Sequence, residues 1–412
     1  MNADKSMVLR ALSEGLRPAE LQHYTRSGTL QLAAPPPLSV YVHLPWCLKK
    51  CPYCDFNSHA QTAQDIPEQA YVAALLADLE SSLPLIWGRS IQSVFIGGGT
   101  PSLFSAQAID QLLAGLRARL TMVGDCEVTM EANPGTFEAE RFRGFRQAGV
   151  TRLSLGVQSF NNQHLQVLGR VHDSAQALAA AHAVSDLFDT FNLDLMYALP
   201  GQTLEALRSD VAAALAIAPT HLSIYQLTIE PNTFFAKYPP EPVDEDLVAD
   251  MLDLIIDMTG QSGLERYEIS AFAKPGHRCR HNLNYWQFGD YLGIGAGAHS
   301  KLSFAHRVVR QVRLREPQRY MQAALRGHAL ASDEEVARRE LPFEFMLNAL
   351  RLRDGVPLNL FSERTGLPPS AIEAGVLIGQ SAGLLERLDG RIQASAKGFD
   401  FLNDAQALFL PA

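Results

Sequence analysis

Short apolar runs alternate with longer alanine- and leucine-rich segments between about residue 38 and residue 230. The runs are continuously apolar, which predicts strands that are covered on both faces of a sheet. The longer segments have the composition of helices. The predicted strands are Ser39–His43, Ser93–Ile96, Glu127–Met130, Arg152–Val157, Asn192–Tyr197 and Leu222–Leu227, and the predicted helices are Gln69–Leu83, Gln107–Leu120, Ser174–Leu187 and Leu204–Ala218.

Six strand–helix units in succession predict parallel strands that are joined by right-handed crossovers. Glycine and polar residues recur directly after these strands. In an α/β barrel such positions meet at one mouth, which the carboxyl ends of the strands form. We therefore expect the α/β class, with a partial (β/α)6 barrel as the main architecture.

The alternation ends near residue 244, and the remaining pattern predicts a second, mainly helical unit. One more helix and the glycine-rich run Gly289–Gly297 come first, and then a basic stretch that indicates a solvated connector: Arg307, Arg310, Arg313 and Arg315. Three helical segments then precede two short strands that an Asp-Gly pair joins: Glu344–Arg351, Asn359–Thr365, Pro369–Ala382, Leu384–Leu388 and Arg391–Ala394. This order is the outline of a winged helix.

Three domains follow from these patterns. Residues 1–37 are a polar appendage and a linker, because the three consecutive prolines from Pro35 to Pro37 form a stiff spacer. Residues 38–305 are the partial barrel with its accessory strands. Residues 306–412 are the C-terminal helical, winged-helix-like domain.

Composition decides the broad class of protein. Apolar residues make up 47% of the 412 residues and charged residues 19%, which is typical of a soluble globular protein and excludes a disordered chain. The formal net charge of -9 argues against a nucleic-acid-binding surface, since phosphate contacts need concentrated lysine and arginine. No run approaches the ~18 apolar residues of a membrane span, and no secretory signal is visible, so we expect a cytoplasmic protein.

Three of the five cysteines lie within eight residues, directly after the first predicted strand: Cys47, Cys51 and Cys54. Zinc usually takes four ligands, and no partner pair at zinc-finger spacing follows. Three thiolates on one loop suit a [4Fe–4S] cluster in which one iron has no protein ligand. A structural zinc knuckle and three free thiols are the alternatives.

This C-x3-C-x2-C loop resembles that of the radical S-adenosylmethionine superfamily. The residues Tyr41–Cys47 and Cys51–Asn57 resemble the oxygen-independent coproporphyrinogen III oxidase family more closely, and the match runs from about Ser39 to the C-terminus. The true oxidases typically carry a cysteine two positions after the third cluster cysteine. Phe56 occupies that position here, so the pattern is similar to the HemW haem chaperone branch of the family.

Polar and glycine residues at the strand ends are candidates for binding S-adenosylmethionine. Gly97–Gly99 leave room for a ligand to approach the backbone, although a tight turn is the alternative. The carboxylate of Glu131 can accept bonds from an ammonium group or a ribose. The resemblance implies that the contacts to S-adenosylmethionine are Tyr41, Tyr53, Gly98, Gly99, Thr100, Glu131, Gln158, Arg170 and Asp194.

The segment from Cys279 to Trp286 contains His-Asn-x-x-Tyr-Trp, which resembles a motif characteristic of HemW proteins and thought to mark haem binding. Imidazole is the usual axial ligand of haem iron, and aromatic rings can stack on a porphyrin. The alternative is a histidine buried beneath a packed aromatic pair. The candidate haem-binding residues are His281, Asn282, Tyr285 and Trp286, with Cys279 as an alternative ligand.

The resemblance implies a haem chaperone that carries a [4Fe–4S] cluster and S-adenosylmethionine and hands haem to respiratory membrane proteins. The alternative is an oxygen-independent coproporphyrinogen III oxidase that uses a radical. Phe56 and the His-Asn-x-x-Tyr-Trp motif favour the chaperone, so we expect no oxidase turnover and assign no catalytic residue. Haem and its acceptor proteins are the expected partners, and nucleic acid is not. The sequence leaves open a peripheral membrane contact and a homodimer.

Overall fold

The computed structural model describes residues 24–136 and 139–411. In chain order its strands are β1 (Leu38–Leu44), β2 (Trp46–Cys47), β3 (His59–Ala60), β4 (Ser90–Gly98), β5 (Thr121–Ala132), β6 (Arg152–Gln158), β7 (Thr190–Tyr197), β8 (His221–Gln226), β9 (Glu265–Arg266), β10 (Ala271–Ala273), β11 (Asp290–Ile294), β12 (His299–Phe304), β13 (Arg307–Arg313), β14 (Leu330–Glu335), β15 (Val356–Pro357), β16 (Leu385–Leu388) and β17 (Arg391–Ala394).

The α-helices of the same described residues follow between and after these strands. They are α1 (Glu68–Ser82), α2 (Ala106–Arg119), α3 (Ala139–Ala148), α4 (Asn162–Val167), α5 (Ser174–Leu187), α6 (Leu204–Ala216), α7 (Phe234–Lys237), α8 (Glu245–Gln261), α9 (Arg280–Trp286), α10 (Pro317–Ala324), α11 (Leu341–Ala349), α12 (Leu358–Thr365), α13 (Ser370–Ser381), α14 (Ala396–Asp400) and α15 (Leu402–Ala407). None of them is long and apolar enough to cross a membrane.

The predicted barrel is confirmed. The strands β1, β4, β5, β6, β7 and β8 are consecutive neighbours in one sheet, and all five of their pairings are parallel. A helix follows each of the six strands before the next element of the sheet. In the described chain the sheet does not close on itself, because β14 and β9 are its two edges. The architecture is therefore a partial (β/α)6 barrel.

The side chains of β1 alternate between the apolar core outside the barrel and the interior of the barrel. Val40, Val42 and Leu44 are buried and belong to the apolar core that includes Tyr71 and Leu75 of α1. Successive side chains of a strand point to opposite faces, so the residues between them face the interior of the barrel. The functional residues of this strand are therefore on the inner face, behind an apolar outer layer.

The sheet extends further than the sequence predicted. The glycine-rich run forms β11, a seventh parallel strand that pairs with β1. A Cβ on Gly293 would overlap the carbonyl oxygen of His299, and one on Gly295 would overlap that of His43. The strand was missed because glycine is depleted in strands, whereas here close backbone contact requires it.

The prediction of a solvated connector at Arg307–Arg315 is wrong. Most of this stretch is β13, whose residues Arg307 and Arg313 are each 1% exposed. The guanidinium group of Arg313 lies 3.3 Å from a carboxylate oxygen of Asp78, which is also buried, and it donates to Ser82 at 2.9 Å. Each buried charge has a partner, which is what allows arginine to lie inside a protein.

The described part of the predicted N-terminal appendage is packed against the rest of the chain. Tyr24, Leu30 and Leu32 are buried, and the backbone N–H of Leu32 donates to the carbonyl of Ala305 at 2.9 Å. Arg307 donates to the carbonyl of Arg26 at 2.8 Å. Residues 24–34 are therefore part of the folded unit, while residues 1–23 of the predicted appendage lie outside the described residues.

The winged-helix-like prediction for the C-terminal part is confirmed. Helices α11, α12 and α13 precede a three-stranded sheet of order β15-β17-β16. Asp389 and Gly390 both have positive φ, 49° and 74°, as the tight turn of the β16–β17 hairpin requires. The domain boundary at 305/306 stays a prediction. In the structure these two residues form the turn between β12 and β13 of the large sheet.

The buried pair of Arg313 and Asp78 predicts a large effect on stability. We expect Asp78→Ala to lower the free energy of unfolding by about 3–5 kcal/mol, because it leaves a buried guanidinium group unpaired. The matched control is Asp189→Ala, since Asp189 pairs with Arg146 at 3.1 Å but is 94% exposed on its side chain. That change should cost less than about 1 kcal/mol. Urea unfolding measures both, and equal losses would contradict the prediction.

Candidate cofactor site

A large cavity lies at the carboxyl ends of the parallel strands. Its volume is about 1230 Å³, which is larger than the roughly 300–1,000 Å³ usual for a site that holds one small ligand. Twelve of the sixteen predicted site residues line it: Cys47, Cys51, Tyr53, Cys54, Gly98, Gly99, Thr100, Glu131, Gln158, Arg170, Asp194 and Trp286. Most of the residues that the sequence predicted for the site therefore line one cavity, although some of them are more than 200 positions apart in the chain.

The three clustered cysteines lie on the loop that follows β1, and each thiol has a hydrogen-bond donor or partner beside it. The pairs are Thr100 Oγ1 with Cys47 Sγ at 3.4 Å, Arg170 Nη1 with Cys51 Sγ at 3.6 Å, and Ser58 Oγ with Cys54 Sγ at 3.8 Å. Burial raises the pKa of the Cys47 and Cys54 thiols. The loop therefore holds three half-buried sulfur atoms. Each of them contacts a polar group from elsewhere in the loop or the chain.

His43 and Asn57 hold the cysteine loop, and the sequence analysis missed both. The imidazole Nε2 of His43 lies 2.9 Å from the carbonyl oxygen of Asn57. The Asn57 side chain donates to the carbonyls of Ala296 at 2.9 Å and Arg315 at 2.8 Å. Burial lowers the pKa of His43 to about 4, so its ring is neutral at pH 7. The loop is thereby fastened at its far end to the segment that follows β11.

Packing within the protein requires the glycines at the end of β4, apart from the ligand contact that the sequence predicts. A Cβ on Gly98 would approach the His43 ring to 2.5 Å, and one on Gly99 would approach the carbonyl oxygen of Trp46 to 2.5 Å. Gly98 also has a φ of 114°, which favours glycine. The protein's own packing therefore demands glycine here. Contact of Gly98, Gly99 and Thr100 with a ligand stays a prediction, and all three line the cavity.

Two carboxyl groups lie in the cavity wall at the ends of β5 and β7. Burial and the nearby Asp194 raise the pKa of Glu131 to about 7. Burial raises the pKa of Asp194 to about 6, although Asn192 and Ser154 donate hydrogen bonds to it. The backbone N–H of Gly98 donates to Glu131 at 3.1 Å. Two carboxyl groups whose ionisation is disfavoured form a site that a cation would stabilise.

The end of β6 carries a backbone irregularity at the cavity. Gln158 is not glycine but has a φ of 69°, and the pairing register shifts between Gly156 and Gln158. Arg170 donates to the carbonyl of Gly156 at 2.8 Å and so links this bulge to Cys51. Such uncommon conformations concentrate at functional sites. The irregularity supports the prediction that Gln158 and Arg170 belong to the binding site.

Tyr41 is among the four predicted residues that do not line the cavity. Its hydroxyl group lies 2.9 Å from Nδ1 of His43, and its ring lies 6.2 Å from that of Phe95, centre to centre. Tyr41 therefore lies on the inner face of β1, where it contacts the histidine that fastens the loop. Its predicted contact with the cofactor stays a prediction.

Of the candidate haem-binding residues, only Trp286 reaches the cavity wall. His281 is buried, and its ring stacks on Phe95 at a centre-to-centre distance of 4.8 Å and contacts Tyr285 edge-on at the same distance. Burial lowers the pKa of His281 to about 3, and its Nδ1 has no hydrogen-bond partner among the described residues. Asn282 is half-buried in the same helix, α9.

The two remaining cysteines are outside the cavity wall. Cys279 is buried, and its thiol donates to a carboxylate oxygen of Glu127 at 3.6 Å. Cys126 is half-buried beside the core, as expected for an apolar filler. Neither belongs to the loop that carries the other three thiols.

Comparisons with known proteins agree with this geometry. The Radical SAM superfamily model matches residues 41–214, and the HemN C-terminal domain model matches residues 336–401. The heme chaperone HemW of Haemophilus influenzae is 47% identical over 383 residues, which is 91% of this chain and 98% of the relative. The chain belongs to the HemW family.

More distant HemW proteins also match over nearly their full length. The Escherichia coli protein is 46% identical over 91% of this chain and 98% of its own length, and the Bacillus subtilis protein is 32% identical over 90% and 99%. The crystal structure of coproporphyrinogen III oxidase (HemN) from Escherichia coli, a radical SAM enzyme, matches with a TM-score of 0.77 at 24% identity, covering 91% of this chain and 90% of that chain. That likeness shows the shared fold.

The Radical SAM domain of this HemW family member implies S-adenosylmethionine and a [4Fe–4S] cluster, and its residues fit both. Cys47, Cys51 and Cys54 supply three thiols on one loop that lines the cavity, as a [4Fe–4S] cluster with one open iron requires. The carboxyl pair of Glu131 and Asp194 suits a cofactor that carries a sulfonium and an ammonium group.

The raised pKa of Glu131 predicts that the affinity for S-adenosylmethionine depends on pH. The cationic cofactor favours the ionised carboxylate, so the affinity should fall by up to about tenfold per pH unit as the pH drops below about 7. Equilibrium binding between pH 6 and 7.5 measures this dependence. Glu131→Gln should bind more weakly and show a flatter profile. An unchanged slope in the variant would contradict the assignment of Glu131.

Proposed function

We propose that this protein is a haem chaperone, which binds haem and delivers it to haem-containing respiratory proteins at the membrane. Its curated relatives bear that name and match over nearly the whole chain. The structural observation that carries the proposal is the large cavity, whose lining includes both the cysteine loop and Trp286 of the His-Asn-x-x-Tyr-Trp motif. Its volume accommodates a second ligand beside S-adenosylmethionine.

The cofactor residues follow from the same cavity. Cys47, Cys51 and Cys54 would hold the [4Fe–4S] cluster through their thiolates, and S-adenosylmethionine would lie beside it in the same cavity. When bound, the cluster supplies an electron to that cofactor. The chain's own residues would orient it: the carboxyl groups of Glu131 and Asp194 line the cavity and would attract its positive charges, and Arg170 donates to the Cys51 sulfur at 3.6 Å.

The proposed iron ligand for haem is His281, whose neutral imidazole has an unpartnered Nδ1. The ring is enclosed by Phe95 and Tyr285, so haem must displace at least one of these contacts to reach the nitrogen. Cys279 is the alternative ligand, although its thiol already donates to Glu127. Trp286 already lines the cavity and is the aromatic side chain that a bound porphyrin would meet first.

Phe56 separates the chaperone from the oxidase alternative. It lines the cavity beside the cysteine loop and is 60% exposed, at the position where the oxidase branch carries a cysteine. The ring replaces a thiol near the place where a substrate carbon would have to be positioned, and misplacement by ~1 Å can reduce a rate about a hundredfold. We therefore propose that coproporphyrinogen III is not turned over.

The partners and location are proposed on the same basis. Haem is the bound ligand, and its acceptors are respiratory proteins at the membrane. Any contact with the membrane is peripheral for the described part of the chain, in which no helix qualifies as a membrane span. A cytoplasmic location and a homodimer stay predictions.

The cluster assignment predicts which cysteines hold iron. After anaerobic reconstitution, Cys47→Ala, Cys51→Ala and Cys54→Ala should each lose most of the bound iron and the brown absorption of the cluster. Cys126→Ala and Cys279→Ala are matched controls, because both thiols lie outside the cavity wall, and they should keep both signals. Iron content and visible absorption measure the outcome. Full iron content in all five variants would refute the assignment.

The function is tested by two assays on the same reconstituted protein under anaerobic conditions. We expect saturable haem binding by difference spectroscopy and no protoporphyrinogen from coproporphyrinogen III, even with S-adenosylmethionine and a strong reductant. Protoporphyrinogen formed over many turnovers would establish the oxidase instead.

The variant His281→Ala belongs in the same experiment as a test of the iron ligand. It should weaken haem binding at least tenfold and leave the cluster absorption unchanged, since His281 does not line the wall that carries the cysteines. Equal haem affinity in the variant and the parent would move the ligand elsewhere, with Cys279 the next residue to replace.

A further inference from the structure

Part of the cavity wall comes from residues that neither the cluster nor S-adenosylmethionine uses. We call it the arginine–aromatic wall, and it consists of Arg266, Trp286, Arg351, Phe399 and Phe401. Trp286 ends α9, Arg351 follows α11, and the two phenylalanines lie at the end of α14. Phe401 is 55% exposed and lines the cavity, so its ring is accessible to a ligand there.

Arg351 is fixed in this wall by two contacts. Its Nη2 lies 3.1 Å from a carboxylate oxygen of Glu268, which is buried, and its guanidinium carbon lies 4.2 Å from the centre of the Trp286 ring. Its Nε and the indole Nε1 of Trp286 are buried donors without a hydrogen-bond partner in the described chain. Because buried donors are nearly always paired, two such neighbours indicate a place where an acceptor is missing.

Arg266 is a second fixed guanidinium group. Its Nε and Nη2 donate to the carbonyl of Ile269 at 3.1 and 2.8 Å, and its guanidinium carbon lies 4.8 Å from the centre of the Phe399 ring. Burial lowers its pKa, and nearby Arg353 lowers it further. Asp400 and Asp404 also line the cavity, but both are exposed, so water screens their charge.

We propose that the arginine–aromatic wall binds the carboxylate side chains of a flat apolar ligand, with Arg351 as the main contact and Arg266 as the second. The guanidinium N–H groups that these contacts leave free can donate to a carboxylate, and the fixed arginines lose little freedom on binding. The aromatic rings of the wall contact the plane of the ligand. This inference rests on the proposed function, since it takes the ligand to be a tetrapyrrole with acidic side chains.

The charge distribution of the cavity separates this ligand from S-adenosylmethionine. The carboxyl groups of Glu131 and Asp194 attract a cation at the strand ends, whereas the guanidinium groups of Arg266 and Arg351 repel one. An anionic ligand has the opposite preference. The two ligands can therefore occupy different parts of one cavity without exchanging places.

The test compares haem with haem dimethyl ester, in which both carboxylates are blocked, on the reconstituted full-length chain. The parent should bind haem about tenfold more tightly than the ester, as expected for hydrogen bonds to a charged group. Arg351→Gln should weaken haem binding about tenfold, leave binding of the ester nearly unchanged and so remove most of the discrimination. Trp286→Phe keeps a ring and removes the indole donor, so it should cause a smaller loss for haem.

The matched control is Arg208→Gln, because Arg208 is an exposed arginine that pairs with a carboxylate, Glu205 at 3.9 Å, and does not line the cavity. It should bind both ligands as the parent does. Arg351→Gln leaves the buried carboxylate of Glu268 without its positively charged partner and can therefore unfold the protein. In that case the double variant Arg351→Gln, Glu268→Gln replaces it in the same binding assay.

The outcomes distinguish a failure of the carboxylate site from a failure of the proposed chaperone function. Equal affinity of the parent for haem and its dimethyl ester overturns the carboxylate site and leaves the chaperone function standing. So does full discrimination in a folded Arg351→Gln variant. A parent that binds neither ligand overturns the proposed function itself, together with this inference.

Discussion

The cofactor site depends on close contacts at the end of β1. These contacts leave no room for a side chain on β4 or on the segment that follows β11. On one side Gly98 of β4 packs against the ring of His43, and on the other Gly295 packs against the carbonyl of the same residue. His43 in turn contacts the backbone of Asn57 at the far end of the cysteine loop. The loop is therefore positioned by close packing of the backbone and the His43 ring within a parallel sheet, which fixes its thiols relative to the other strand ends.

Much of the fold could be predicted because its signals are local. The six continuous apolar runs and the helices between them are visible in the sequence, and the parallel topology then brings residues as distant as Cys47 and Asp194 to one edge. The signals that misled were also local. The glycines of β11 were not predicted to form a strand, and the arginines of β13 were predicted to be solvated, because their partners, such as Asp78, lie more than 200 residues away.

The second wall of the cavity was not predictable in the same way. Arg266, Arg351 and Phe399 belong to segments with no common sequence pattern, and only the packing of the C-terminal helices against β9 brings them to the cavity. For His281 the motif was visible and burial beneath aromatic rings was one of its two interpretations, but the contact with Phe95, from a distant segment, was not predictable. A motif names residues, whereas the accessible surface of each residue depends on contacts from elsewhere in the chain.

The two walls of the cavity come from separate stretches of the chain, and this has an evolutionary consequence. The barrel wall holds the residues that match the Radical SAM superfamily, while Arg351, Phe399 and Phe401 lie in or at the edge of the segment that matches the HemN C-terminal domain. Mutation in the later segment can alter which molecule is admitted while the cofactor chemistry of the barrel is inherited unchanged. Divergence of enzymes and carriers from one ancestor can then combine changes in this later segment with single changes beside the cysteine loop, such as the one at Phe56.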